Sequence, residues 1–261
     1  MLRAFSTAAT GMTAQQMMVD VTANNLANIN TTGFKRSQID FQDLLYLKMK
    51  DPGAEVASGV ISPSGLEIGS GVRAASTVKV FTNGELVNTA RPLDIAITGD
   101  GFLQVAMPNG ETRYTRDGSL QLNADGELVT ASGYTIEPAI SISSDVVNVD
   151  IGKDGGVNVT TSSGTQSVAG TIQLARFANP SGLSSEGDNL LAETEASGTP
   201  TTGTAGDSGL GAIQSGFLEK SNVQMVTELV NLITAQRAYE VCSRAIKAGD
   251  GMLQTSIDIA R

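Results

Sequence analysis

From the first residues onward, Leu2, Phe5, Ala9, Met12, Gln16, Val19, Ala23 and Leu26 recur at alternating steps of three and four, the spacing that lines up side chains along one seam of an α-helix. Gln16 is the polar residue that interrupts it. At the other end Met225, Leu229, Leu232, Tyr239, Ile246, Leu253 and Ile257 form one stripe, and Val226, Val230, Ile233, Val241, Ala245, Ala248, Met252 and Ile259 form a second beside it. A helix apolar around that much of its circumference has to be covered on several sides. One partner helix of similar length cannot do this, so self-association is the predicted remedy, although a buried helix pair in one globular domain would give the same periodicity.

Between these ends the period shortens to two. Ser76 to Phe81 is followed by Asn83-Gly84, Leu93 to Thr98 by Gly99-Asp100-Gly101, and Phe102 to Met107 by Pro108-Asn109-Gly110, the pattern of strands joined by hairpin turns. Further short runs continue from Thr112 to Phe177, and a β domain is predicted from about Ala75 to Ala192. All seven prolines lie between Pro52 and Pro200, so both ends are free of the residue that breaks helices. Lys50 to Arg73 carries two Pro and five Gly among scattered Val and Ile, which predicts an extended or hairpin-like excursion. Ser197 to Gly211 is Gly, Thr and Ser with little to bury, and reads as a flexible loop.

The predicted fold class is therefore α+β: N- and C-terminal helices paired as a coiled-coil-like inner domain, an extended hairpin-like excursion, and a central all-β domain. The expected division puts residues 1–30 with 222–261 as a terminal-helix assembly domain. Residues 31–74 with 211–221 form a connecting segment holding the excursion at about 46–73, and 75–210 form the β domain, including the flexible loop 197–210.

Composition narrows the function classes. The net charge of −10 opposes the phosphate neutralisation that nucleic-acid binding requires. It is also unevenly placed. Residues 1–30 carry Arg3 against Asp20 and residues 222–261 carry four basic against four acidic groups, so the excess lies in the middle. No stretch approaches the about 20 apolar residues of a spanning helix, and no signal-peptide pattern opens the chain, so no membrane insertion is expected.

The chain contains no histidine, which removes the commonest general base and the commonest metal ligand. Cys242 is the single cysteine, with no Cys-His pair available, and reads as a packing residue. The Asp-Gly pairs at 117–118, 125–126 and 154–155, Gly99-Asp100-Gly101 and Asp94 lack calcium-loop spacing and read as turns. Gly69-Ser70-Gly71 lacks the context of a phosphate cradle. No catalytic, cofactor or metal site is predicted, and no enzyme activity.

One segment is more specific. In residues 23–36, ANNLANINTTGFKR, the seam gives way to Asn24, Asn25, Asn28 and Asn30, then Gly33 and Phe34. Asn and Gly suit a helix exit, and Phe34 can fold back on the helix. The run resembles the N-terminal signature of the axial proteins of the bacterial flagellum, the rod and hook family. A second resemblance lies in Gly216 to Val223 (GFLEKSNV, with Ser221 and Asn222), in Ala235 to Glu240 (AQRAYE, with Gln236, Arg237 and Tyr239) and in Asp250 to Leu253. Cys242 stands where the family usually carries Asn, which puts in doubt an amide contact there.

The resemblance implies a structural subunit that polymerises into a helical, tubular drive shaft carrying torque from motor to hook. Length, β domain and excursion fit the distal rod; a hook or proximal-rod role and, further off, peptidoglycan cleavage are the rival readings. Implied partners are copies of itself, proximal-rod proteins, the hook protein, the bushing rings and the type III export apparatus, which would carry the chain to the periplasm without signal-peptide cleavage. The implied assembly seam is Leu2, Phe5, Ala9, Met12, Val19, Ala23, Leu26, Met225, Leu229, Leu232, Tyr239, Ile246, Leu253 and Ile257.

Overall fold

The computed structural model describes residues 2–53, 55–57, 60–61, 63–207 and 209–259. The Leu2 side chain of the predicted seam and positions 54, 58, 59 and 62 of the predicted excursion lie outside the described residues. The chain gathers into two compact units, one made of residues 1–26, 37–78 and 225–261 and the other of residues 27–36 and 79–224. This cuts across the expected three-part division: the excursion clusters with the terminal helices, and the helix exit at 27–36 clusters with the β region.

In the first unit, α1 (Leu2–Ala27) and α2 (Met225–Ile259) are joined by strands β1 (Ser37–Asp43), β2 (Leu47–Lys50), β3 (Glu55–Ala57), β4 (Val60–Ile61), β5 (Leu66–Ile68) and β6 (Val72–Lys79). The strands pair as β1 with β6, β2 with β5 and β3 with β4, a nested ribbon. The helices run antiparallel where they meet. A β-carbon at Gly11 would stand 3.3 Å from the Cys242 Sγ, and one at Gly249 would stand 2.9 Å from the Phe5 ring. Small residues form the contact, with Ala14 and Ala235 buried, because close approach of two helices leaves little room between their axes. The base of the ribbon meets α1 through Gly71, at φ 112°, where a β-carbon would clash with the Thr10 hydroxyl.

The second unit is almost all β. Its strands are β7 (Leu86–Asn88), β8 (Ile95–Thr98), β9 (Phe102–Ala106), β10 (Thr112–Thr115), β11 (Gln121–Leu122), β12 (Leu128–Val129), β13 (Thr135–Glu137), β14 (Val146–Ile151), β15 (Gly156–Thr161), β16 (Gln166–Thr171), β17 (Gln173–Arg176), β18 (Ser184–Gly187), β19 (Leu190–Ala192), β20 (Thr201–Thr204), β21 (Ala212–Ser215) and β22 (Phe217–Glu219). A nine-stranded sheet runs β11-β12-β13-β9-β10-β19-β18, with β17 sharing an edge of β9 and carrying β20. β14, β15 and β16 form a second sheet, while β8 pairs with β21 and β7 with β22. The core is aliphatic, built on Ile95, Leu103, Leu120, Ile136, Val157, Ile172, Leu174 and Ile213. An aromatic cluster of Phe102, Tyr114 and Phe177 sits beside Phe81, its rings meeting edge to face at centroid distances of 4.7–5.9 Å, the favoured geometry for aromatic pairs.

Two expectations fail here. Ser197 to Gly211 is not a flexible loop: β20 pairs with β17, Ser197 is fully buried, and Ala205 and Leu210 join the core. Composition misled because Thr and Gly supply strand backbone as readily as linker, and two apolar anchors were enough. Neither Asn83-Gly84 nor Gly99-Asp100-Gly101 closes a hairpin, since β6 pairs with β1, β7 with β22, β8 with β21 and β9 with β10. The Pro108–Gly110 turn closes as expected, with the Met107 N–H on the Glu111 carbonyl at 2.9 Å.

Candidate functional site: the signature junction and the helix surfaces

The two sequence signatures fold into amide bridges and one buried charge cluster. Asn25, 1% exposed, ends the inward face of α1. Its Nδ2 donates to the Ser37 carbonyl at 2.8 Å and its Oδ1 accepts the Ser37 N–H at 2.9 Å, so one side chain imitates a strand neighbour for the start of β1. Asn222 does the same in the second unit. Its Oδ1 accepts the Arg36 N–H at 2.7 Å and its Nδ2 donates to the Val80 carbonyl at 2.8 Å. Asn is suited to this because its amide carries donor and acceptor in the geometry of a peptide group.

Between these bridges the exit segment lies on the β unit. Gly33 sits at φ 67°, and a β-carbon there would lie 2.6 Å from the Arg116 carbonyl carbon and 2.7 Å from the Asp117 nitrogen. Glycine alone satisfies both the left-handed backbone and the close approach. The Gly33 N–H donates to the Glu219 carbonyl at 2.9 Å. The Thr32 hydroxyl donates to Asp117 Oδ1 at 2.8 Å, and Asn189 Nδ2 reaches the Thr32 carbonyl at 3.3 Å.

Beneath this contact Lys35, Arg116 and Glu219 are all buried. Glu219 Oε1 accepts Lys35 Nζ at 2.6 Å and the Gly84 N–H at 2.8 Å, and Oε2 accepts Arg116 Nη1 at 3.3 Å. Lys35 Nζ also donates to the Thr82 carbonyl at 2.8 Å, and Arg116 donates to the carbonyls of Gly99 at 2.6 Å and Ile97 at 3.2 Å. The Arg116 guanidinium lies 5.5 Å from the Phe102 ring centroid. Sequence reading named neither Lys35, Arg116 nor Glu219; a charged residue inside a signature, as Lys35 and Glu219 both are, was the available signal.

Burial lowers the Lys35 ammonium below its ordinary 10.5, against the pull of Glu219 and with help from Arg116. Between that lowered value and 10.5 the unfolded chain keeps a proton that the folded chain releases, so this group makes stability rise with pH across the window. Lys35→Met is expected to remove that rise. Urea midpoints of both proteins from neutral pH to 10.5 check it, and parallel profiles would contradict it.

The predicted seam residues fall into two sets. Phe5, Met12, Val19, Leu26, Leu232, Ile246 and Leu253 are half-buried, whereas Ala9, Ala23, Met225, Leu229, Tyr239 and Ile257 are exposed. Of the signature residues, Ser221 is buried, Asn28 and Phe34 are half-buried, and Asn24, Gln236 and Arg237 are exposed. Gln236 and Tyr239 line, with Gln16, Val19 and Glu240, a cleft of about 390 Å³. Along α2 the second stripe is open to solvent: Val226 is 75% exposed, Val230 56%, Ile233 54% and Val241 58%. Among the described residues no three His, Cys, Asp or Glu side chains gather into a metal-binding group, and no helix is long and apolar enough to cross a membrane.

Three family models match parts of the chain: "Flagella basal body rod protein" over residues 5–35, "Flagellar hook protein FlgE/F/G D1 domain" over 96–159, and "Flagellar basal body rod FlgEFG protein C-terminal" over 214–259. Both chain ends and the middle of the β unit thus point to the axial class of flagellar proteins. The chain is 48% identical over 246 residues to the flagellar basal-body rod protein FlgG of Buchnera aphidicola from Schizaphis graminum, covering 94% of this chain and 95% of the relative. Identity to the protein of that name from Caulobacter vibrioides is 44% over 98% of each, and to that from Borreliella burgdorferi 41% over the full length of each. The chain belongs to the flagellar basal-body rod protein family and is a structural subunit of the rod in the flagellar basal body, an apparatus of motility.

Proposed function

We propose that this subunit builds the distal rod: a helical homopolymer whose terminal helices pair as coiled coils in inner layers, with the β unit outside, forming a tubular drive shaft that transmits torque from motor to hook. The observation that carries this reading is the uncovered apolar surface of α2, where Met225, Val226, Leu229, Val230, Ile233, Tyr239, Val241, Met252, Ile257 and Ile259 are all exposed. Apolar surface of that extent on a chain with net charge −10 calls for a partner, and both helix ends are near neutral, so copies can meet there without repulsion. The same chain acts mechanically rather than as an enzyme. Proximal-rod proteins, the hook protein, the bushing rings and the type III export apparatus are its further partners, and it reaches the periplasm without signal-peptide cleavage.

Assignment to the distal rod rests on the nested ribbon, whose described outer part exposes Leu45, Tyr46, Leu47, Met49, Leu66 and Ile68. Side chains of this kind on a projecting ribbon can wedge against adjacent copies and stiffen the polymer. Deleting residues 48–73 is expected to give filaments that bend like a hook, measured as persistence length by electron microscopy. A straight, stiff filament from the deleted chain would remove the ribbon from the argument.

A further inference from the structure

The outer face of the β14–β15–β16 sheet, with the loops at 88–92 and 215–217, lines a cleft of about 680 Å³, within the about 300–1,000 Å³ typical of small-molecule sites. The side chains of Asn148, Asp150, Asn158, Thr160 and Gln166 line it. Among the described residues none of these five side chains makes a hydrogen bond. Opposite them stand Arg91, Pro92 and Phe217. Arg91 Nη1 is held 3.7 Å from the Asp94 carboxylate, whose two oxygens are buried without a hydrogen-bond donor.

A second observation marks the same place. Ala90, which lines the cleft, sits at φ 57°, a left-handed conformation that is unfavourable for a residue with a β-carbon and that gathers at ligand clamps and switch regions. The Asn88 Oδ1 holds this turn by accepting the Ala90 N–H at 2.9 Å.

We infer that this cleft binds a neutral saccharide chain. Arg91 is already paired with Asp94, so among the lining residues Asp150 is the remaining charge and no free cation is left to attract a phosphate or polyanion. β15 is paired on both sides, with β14 and with β16, and the polar side chains stand on the face of this sheet, so a ligand that meets them lies across side chains rather than along a strand edge. What the cleft offers is free amides, a hydroxyl and a carboxylate, which can each donate to or accept from sugar hydroxyls, beside the apolar surfaces of Pro92 and Phe217, against which the C–H face of a sugar ring can lie. All of the lining residues belong to the second unit and none to the helices.

The test is an NMR titration of the full chain with chitotetraose, cellotetraose and a neutral extended hexapeptide. Saturable shifts from one of the saccharides, clustered at 88–92, 148–166 and 215–217, are expected. Asn158→Ala with Gln166→Ala should weaken that binding by about tenfold or more, and Asp150→Asn should weaken it as well. These side chains face solvent, so folding is not at stake. No saturable shift with either saccharide, shifts located elsewhere, an unchanged affinity in the double variant, or saturation by the hexapeptide alone would each overturn the inference, the last by marking the cleft as a docking site for a neighbouring chain.

Discussion

Glu219→Ala is expected to be the most damaging single substitution in the β unit, at a loss of about 3–5 kcal/mol, the usual result of removing one partner from a buried ion pair. Glu219 is the only anion of its cluster. Without it Lys35, Arg116 and the Gly84 N–H lose an acceptor together, and two cations face each other in a site closed to water. Lys35→Met is expected to cost much less, because it leaves Arg116 and Glu219 as a balanced pair. Urea unfolding of the two variants measures the difference. Equal losses, or a Glu219→Ala loss below about 1 kcal/mol, would show that the cluster does not hold the junction.

The second large effect is on assembly and leaves the fold alone. Leu229 is 41% exposed, so Leu229→Asp places its charge in water in the free subunit and should change folding stability by no more than about 0.5 kcal/mol. In the polymer the same position is expected to be covered by other copies, where an unpaired carboxylate is costly to bury. Thermal melts should therefore overlay while sedimentation shows no polymer. Normal filaments from this variant would take Leu229 out of the interface. A drop in melting temperature would mean that the side chain serves the subunit instead.

The pairing face of the helices explains why one residue can be so separable. Large apolar side chains drew the sequence reading, and they do set the length of both helices. Yet the contact inside the subunit is made through Gly11, Ala14, Ala235, Cys242 and Gly249, residues too small to stand out in a hydrophobic pattern. Of the larger side chains of α2, Leu232, Ile246 and Leu253 are half-buried, whereas Met225, Leu229 and Ile257 are exposed. Cys242, read as a packing residue, is half-buried with its sulfur against Gly11.

The β unit was legible where a turn acts on adjacent strands, as at Pro108–Gly110 and Asp154-Gly155, and illegible where pairing is distant. β8 finds its partner β21 at the far end of the unit, and nothing in Ile95–Thr98 names it. β1 was missed because Ser37–Asp43 has only Ile39 and Phe41 as apolar residues and pairs with β6 across the whole ribbon. Distance hid the charge cluster as well. Lys35 and Glu219 are 184 residues apart, and Arg116 and Glu219 are 103 apart, so only folding brings them together. The signature asparagines were recognisable as a motif, but their work as peptide-like bridges to Ser37 and Arg36 arises only in the fold. Residues 197–211 misled for the opposite reason: within a polar, Gly-rich stretch Thr201–Thr204 forms a strand because β17 offered it an open edge.

Electron cryo-microscopy of the polymer at side-chain resolution bears most directly on the proposal that subunits assemble through the surface of α2. Val226, Val230, Ile233 and Val241 are expected to be buried between copies in the inner layers, with residues 79–224 on the outside. A filament in which these four side chains face solvent, or in which the β units form the central wall, would contradict it.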